Sequence, residues 1–158
     1  MGYSTDFDGR IEIDPPLNFA EIAYLKAFSE TRHMHREQGE YFVDFENGYN
    51  TTEVGVYDCN KPPHRQPELW CNFVPTKDGT AIVWNECEKT YGAKEWIQYI
   101  INHFLRPNAI ASKTQSPYFT DFTFDHVCNG ELLAQGEDIR DRWLLIVKSN
   151  KVSTEQLR

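Results

Sequence analysis

The chain lacks an excess of positive charge and lacks the short motifs of the common enzyme classes. Its 16 Lys and Arg residues are outnumbered by 24 Asp and Glu residues, so the net charge at pH 7 is -8. A chain of this charge repels a phosphate backbone, and we do not expect nucleic acid as its partner. The sequence contains no GxGxxG, P-loop, GxSxG, HExxH or EF-hand pattern. No cofactor is therefore predicted.

Long apolar runs and closely spaced cysteines are also lacking. The longest aliphatic run covers residues 143–147, far short of the roughly 20 residues of a membrane span, so no membrane partner is expected. The first residues carry neither a basic nor an apolar leader, which predicts a cytoplasmic location. No cysteine pair has CxxC spacing, and we expect reduced thiols at Cys59, Cys71, Cys87 and Cys128. His33 and His35 lack a nearby third ligand, so we interpret both as solvated residues at a helix end and predict no metal site.

The chain does contain the composition of a folded domain. Hydrophobic residues make up 40% and aromatic residues 14% of its 158 residues, enough to offset the entropy lost on ordering. We predict a single domain over residues 1–158. Between about residues 33 and 67 the hydrophobic periodicity fades while glycine and proline recur, which predicts an irregular insertion with at most one or two short strands.

The remaining residues show helix and strand patterns. Asn18 and Glu21 have the spacing of a capping box and predict a first helix that ends near Arg32. Asp78-Gly79 predicts a hairpin turn, and Asn129-Gly130 predicts another. Alternation and apolar runs predict a second helix from residue 90 or 92 to residue 106, and strands at residues 10–14, 69–75, 80–84, 122–124, 131–135, 143–147 and 152–155.

The order of these elements is strand, helix, hairpin, helix and further strands, which is typical of a split βαβ unit. We predict an α+β fold in which two helices cover one face of an antiparallel sheet. Its core would be ferredoxin-like and extended by the C-terminal strands. An unrelated α+β layer fold is the alternative.

A first candidate site lies in and beside the insertion. The basic residues of this acidic chain concentrate at Arg32, Arg36, Lys61 and Arg65. Guanidinium groups match phosphate and carboxylate, so we predict a local anion pocket there, with Tyr57 and Trp70 suited to stack on a base or contact a protein. The alternative is ordinary pairing of these cations with Glu30, Glu37 and Glu40.

A second candidate site is polar. It comprises Glu88, Lys89 and Tyr91 before the second helix, together with Gln135 and Glu137 further along the chain. Carboxylates at the mouth of a sheet act as acid and base where burial separates their pKa values. The alternative is a helix N-terminus that attracts acidic residues, plus a solvated charged loop.

Several blocks of the sequence are specific enough to mark a family. They are Gly2-Tyr-Ser-Thr-Asp-Phe, residues 28–32, Asn60-Lys-Pro-Pro-His-Arg-Gln-Pro-Glu-Leu-Trp-Cys, and residues 74–80, 88–91, 96–104 and 135–138. Over nearly the whole chain they resemble a family of small uncharacterised proteins from actinobacteria and bacteriophages. That family has no established activity, so the resemblance implies no functional residues. Where the family tends to have Trp-Asp-Gly-Gly-Glu-Lys, this chain has Trp84-Asn-Glu-Cys-Glu-Lys.

These observations favour a non-catalytic binding protein of phage or prokaryotic origin. An acidic chain with an aromatic-rich insertion suits docking onto a basic surface, where charge raises the association rate and aromatic residues supply much of the affinity. The expected partner is a host protein, as for an inhibitor of a host system, or a sequestered nucleotide-like ligand.

Two further functions stay open. One is a small enzyme acting on a nucleotide or related metabolite by acid-base chemistry through Glu88, Glu137 and one of His64, His103 or His126. The other is a structural homo-oligomer formed through an exposed sheet edge.

Overall fold

The computed structural model describes residues 2–157. The strands are β1 (Thr5–Asp14), β2 (His35–Arg36), β3 (Val56–Asp58), β4 (Phe73–Pro75), β5 (Ala81–Trp84), β6 (Val127–Gly136), β7 (Arg142–Lys148) and β8 (Lys151–Gln156). The helices are α1 (Phe19–Ser29) and α2 (Ala93–Ile100), and α2 continues into a π-helical turn at Ile101–Leu105. Short 3-10 turns follow at Ile110–Lys113 and Pro117–Phe119.

One antiparallel sheet organises the molecule. Its strands lie in the order β4-β5-β1-β6-β7-β8, so β4 and β8 are the edge strands. β2 and β3 pair with each other inside the insertion, where the sequence predicted one or two short strands. The sheet and the two helices make a mixed α+β fold, which confirms the coarser prediction of an α+β class with an antiparallel sheet.

The core lies between one face of the sheet and the helices. In β1, Phe7 and Ile11 are buried, whereas the alternate residues point to solvent. Phe28 of α1 meets Trp96 of α2 edge to face, with ring centroids 5.7 Å apart. Side chains of this size each contribute about 1.5–3 kcal/mol when they leave water, so this layer supplies much of the stability. Neither α1 nor any other helix within residues 2–157 has the length and apolar character that crossing a bilayer requires.

The predicted capping box starts α1. Asn18 accepts a hydrogen bond from the Glu21 N–H at 2.9 Å, and the Glu21 carboxylate accepts one from the Asn18 N–H at 2.9 Å. The helix ends at Ser29, earlier than the predicted end near Arg32. The reason is that the Arg32 N–H donates to the Gly48 carbonyl at 2.7 Å, which turns the chain into the insertion.

The prediction of a turn at Asn129-Gly130 is wrong. Both residues lie inside β6, which pairs with β1 on one side and with β7 on the other. Gly130 has a φ of 152°, and a Cβ atom there would collide with the Arg10 carbonyl of β1. The glycine therefore permits a close approach of two strands, and residues 122–124 form no strand of the described chain.

The last hairpin agrees with the sequence. Ser149 and Asn150 have φ values of 47° and 71°, which is the backbone of a tight two-residue turn between β7 and β8. The predicted strand at residues 143–147 is the middle of β7, and the predicted strand at 152–155 is the middle of β8. Within residues 2–157 β8 has a strand neighbour, β7, on one side only.

Candidate binding groove

Side-chain hydrogen bonds fix the insertion to α2. The Tyr99 hydroxyl donates to Glu40 Oε1 at 2.7 Å. Gln66 Nε2 donates to the Glu40 carbonyl at 2.7 Å and to the Tyr99 hydroxyl at 3.0 Å. Burial, together with the Glu40 carboxylate, raises the pKa of Tyr99, so its hydroxyl keeps the proton that makes this contact.

A second contact of the same kind joins Tyr41 to His103. The Tyr41 hydroxyl lies 2.6 Å from His103 Nδ1, and the His103 ring stacks on Tyr99 with centroids 3.8 Å apart. Burial lowers the pKa of His103 to about 4 and raises the pKa of Tyr41 to about 12. Near neutral pH the imidazole is therefore uncharged, and this pair acts as a buried hydrogen bond.

The predicted arginines of the insertion have partners of their own. Arg32 Nε donates to the Cys59 carbonyl at 3.0 Å. Arg36 is buried and forms an ion pair with Glu53. Arg65 Nε donates to Glu40 Oε2 at 3.1 Å, which is one of the pairings that the sequence left open.

The other members of the first candidate site are exposed or lie nearby. Lys61 is exposed. Tyr57 is 65% exposed, with its ring centroid 5.1 Å from that of His35. Trp70, which is also among the six residues predicted to bind a ligand, lines a groove beside α1. Anion binding by the four cations stays a prediction, because three of them already contact acceptors within the chain.

A groove of about 960 Å³ lies where α1, the segment leading into β4 and the loop after β5 meet. Its apolar lining comes from Ile22, Tyr49, Leu69, Trp70, Val74, Pro75 and Tyr91. Its charged lining residues are Lys26, Lys77, Lys89, Glu30, Glu68 and Glu88. Concave, mostly apolar surfaces with a few polar groups are the usual form of binding sites.

Two aromatic rings connect the insertion to this groove. Tyr49 is 72% exposed, and its ring centroid lies 4.9 Å from that of Trp70 at an interplanar angle of 40°. A smaller cavity of about 380 Å³ shares Tyr49 with the groove and adds Phe45, which is 64% exposed. Two exposed aromatic rings, Tyr49 and Phe45, therefore extend from the groove into the insertion.

The polar candidate residues are divided between separate places. The groove contains Glu88, Lys89 and Tyr91. Gln135 lines a different cavity beside the end of β8. Glu137 accepts the Ser4 N–H at 2.7 Å. The described residues therefore do not bring Glu88 and Glu137 into one cavity.

The three histidines considered for acid-base chemistry lie outside the groove. His64 is exposed, and His103 is bound to Tyr41. His126 is 1% exposed, and its Nε2 donates to Glu21 Oε2 at 2.8 Å. Its Nδ1 lies 2.6 Å from the Pro15 carbonyl, which can only accept, so Nδ1 carries a hydrogen and the raised pKa of His126 favours the charged imidazole.

Glu21 and His126 form a buried, hydrogen-bonded acid–base pair that no pattern in the sequence predicted. Burial raises the pKa of Glu21, but the hydrogen bonds from His126 and Asn18 lower it more. Burial lowers the pKa of His126, but Glu21 and the Pro15 carbonyl raise it more. Both side chains are buried. Through their hydrogen bonds they connect the end of β1, the start of α1 and the segment before β6.

The interpretation of His33 as a solvated residue is wrong. His33 is 3% exposed, its Nε2 lies 2.7 Å from the Phe28 carbonyl, and its ring packs on Phe28 with centroids 4.2 Å apart. The chain turns back after α1 and places this ring in the core, where burial lowers its pKa to about 4. His35 is exposed, as expected.

Within residues 2–157 no group of three His, Cys, Asp or Glu side chains is placed to hold a metal ion. Neither family models, curated proteins nor solved structures show a match to this chain.

Proposed function

We propose that this chain is a non-catalytic binding protein that occupies a partner protein of a prokaryotic host through the groove beside α1. The observation that carries the proposal is the Tyr49–Trp70 ring pair, which is partly exposed at a large apolar groove. Trp and Tyr dominate the binding energy of protein interfaces because they remove much apolar surface from water at little entropic cost. Phe45 extends the same surface.

The charges at the groove favour a protein segment over a nucleotide. Its lysines are matched by an equal set of glutamates, so the groove offers no net positive charge to a phosphate. A lining that contains both Lys and Glu side chains is instead suited to the mixed charges of a polypeptide. The net charge of -8 favours a partner whose surrounding surface is basic.

The enzyme alternative has less support. Glu88 lines the groove, but the histidines weighed as its acid-base partners lie elsewhere, two of them in internal hydrogen bonds. Acid-base chemistry that pairs Glu88 with one of these histidines therefore has no support from their positions. We therefore place no catalytic residue.

We also propose that β4, β5, β1 and β6 with α1 and α2 form a ferredoxin-like split βαβ core. The order β4-β5-β1-β6 supports this, since it sets the first strand between the second hairpin strand and the strand after α2. β7 and β8 would extend that core, and a cytoplasmic protein of phage or prokaryotic origin fits the same proposal.

The test is quantitative capture of proteins from an actinobacterial host lysate, followed by affinity measurement with the purified captured protein. Trp70→Ala and Tyr49→Ala should each weaken binding by roughly 30-fold, the size expected for an aromatic hot spot. Phe19→Ala is the matched control because Phe19 is 88% exposed on α1 and does not line the groove. It should bind as tightly as the unchanged chain.

Two results would contradict the proposal. Unchanged capture by Trp70→Ala and Tyr49→Ala, with both variants folded by circular dichroism, would remove the groove from the interface. Release of a nucleotide from the denatured protein, measured by mass spectrometry, would instead favour the sequestration of a small ligand.

A further inference from the structure

The outer edge of β8 carries backbone groups that pair with no other strand of the described residues. Lys148 and Lys151 flank the two-residue turn, so they form the hydrogen-bonded pair that closes the hairpin. Hydrogen-bonded pairs then recur at every second residue along β7 and β8. The hydrogen bond from the Leu157 N–H to the Arg142 carbonyl, at 2.8 Å, fits this alternation. The N–H and C=O groups of Val152 and Thr154 therefore point away from β7.

We infer that β8 pairs antiparallel with β8 of a second copy of this chain, with the two-fold axis at Ser153. In this register Val152 of each copy lies opposite Thr154 of the other, so their outward backbone groups bond to each other. Lys151 of each copy lies opposite Glu155 of the other. These lie at non-hydrogen-bonded positions, where side chains on neighbouring strands approach most closely.

The charges along the hairpin support this register. Lys148 and Lys151 lie directly opposite one another on neighbouring strands, and like charges in that position destabilise a sheet. Among residues 2–157 neither lysine forms an ion pair, and Glu155 lies opposite the apolar Leu144. Glu155 of the second copy would extend the lysine row with an opposite charge.

Other antiparallel registers of the same edge lack this complementarity. A shift that centres the axis on Thr154 places Glu155 opposite Ser153 and leaves Lys151 without an acid. A further shift places the Glu155 residues of both copies opposite each other, which is repulsive. Charge therefore selects the register centred on Ser153.

The dimer leaves the binding groove open. The groove is beside β4, and β4 and β8 are opposite edges of the sheet. A dimer through β8 would present two grooves, and a partner with repeated sites would gain affinity by linkage. The dimer itself does not depend on the groove being functional.

Sedimentation equilibrium of the purified full chain tests the inference. We expect a particle of twice the 18.5 kDa chain mass at micromolar or higher concentration. Lys151→Glu and Glu155→Lys should each raise the dimer dissociation constant about tenfold or more, because each variant makes both cross-copy pairs repulsive. The double variant, which restores both pairs in reverse, should dimerise like the unchanged chain.

A mixture of the two single variants gives the sharpest result. Lys151→Glu chains supply Glu at both positions and Glu155→Lys chains supply Lys at both, so each pair in the mixed dimer is attractive. Equimolar mixing should therefore restore dimers that neither variant forms alone. Thr154→Pro should also abolish the dimer while leaving the fold intact by circular dichroism, since it removes an outward N–H and no bond to β7.

A monomer at all concentrations would overturn the inference. A dimer that persists equally in Lys151→Glu, Glu155→Lys and Thr154→Pro would overturn it as well, because the interface would then lie elsewhere.

Discussion

The sheet and the insertion achieve order in different ways. The sheet is held by continuous backbone ladders and by fully buried side chains such as Ile11 and Leu132, which are both 0% exposed. The insertion has one short strand pair and is held by side chains, chiefly the contacts of Tyr99 with Glu40 and of Tyr41 with His103. Removing one polar contact therefore affects the insertion locally, whereas the sheet responds as a unit.

This difference explains where a binding surface can form. In a strand that pairs on both sides, the backbone N–H and C=O groups form hydrogen bonds with the neighbouring strands, and the apolar side chains point into the core. In the insertion, Phe45, Tyr49 and Tyr57 are more than half exposed, although side-chain contacts hold this segment in place. An irregular segment on a rigid layer is a common source of recognition surfaces.

The strongest way to break the regular layer is to remove one partner of its buried ion pair. Glu21→Ala should lower the free energy of unfolding by about 4 kcal/mol, because it leaves the His126 imidazolium buried without a carboxylate and removes the helix cap. Equilibrium urea unfolding measures this loss. Glu21→Gln keeps the shape of the cap and should lower the free energy of unfolding by less. Equal decreases in the two variants would show that the charge of Glu21 does not contribute.

Truncating a side chain of the apolar core should lower the free energy of unfolding by a somewhat smaller amount, and the effect should extend over the whole fold. Leu132→Ala in β6 removes a side chain that is 0% exposed and should cost about 3 kcal/mol through lost burial and the cavity left behind. Hydrogen exchange should accelerate in the sheet and in the insertion alike. Acceleration confined to β6 would contradict the description of the sheet as one cooperative unit.

The insertion should respond locally to a smaller change. Tyr99→Phe removes the hydroxyl that binds Glu40 and Gln66 and should cost about 1 kcal/mol. Hydrogen exchange should accelerate in residues 40–66 and stay unchanged in β6 and β7. Tyr118→Phe is the control, since the Tyr118 hydroxyl makes a 3.5 Å contact with the Val43 carbonyl that contributes little.

The titration of the histidines separates the two regions without any substitution. An NMR titration should give a pKa above the ordinary value for His126 and pKa values near 4 for His33 and His103. The raised pKa of His126 stabilises the fold below the unfolded pKa, and this stability is lost as pH rises through the folded pKa. The lowered pKa of Glu21 adds stability above its unfolded pKa, which is lost as pH falls through the folded pKa. An unshifted His126 would contradict the ion pair.

Local signals in the sequence predicted much of the fold. The Asn18–Glu21 cap and the Asp78-Gly79 turn depend on neighbouring residues, and both are present where they were expected. Asn129-Gly130 has the composition of a turn, but the close approach of β1 uses its glycine inside a strand. The ambiguity is physical, because positive φ serves turns and tight strand contacts equally.

The candidate groove was predicted only in part. Trp70 and the polar residues Glu88, Lys89 and Tyr91 were identified, but as members of separate sites. Tyr49 joins Trp70 through an irregular loop whose path has no periodic signal. The Glu21–His126 pair spans distant parts of the chain, and no spacing rule relates such residues.

The most direct measurement of the central claim is photo-crosslinking in host cells. A photoreactive amino acid in place of Tyr49 should form a crosslinked adduct with a partner protein, and the same amino acid in place of Phe19 should form none. Adducts at Phe19 but not at Tyr49, or adducts at neither position, would contradict the proposal that the groove beside α1 is the recognition surface.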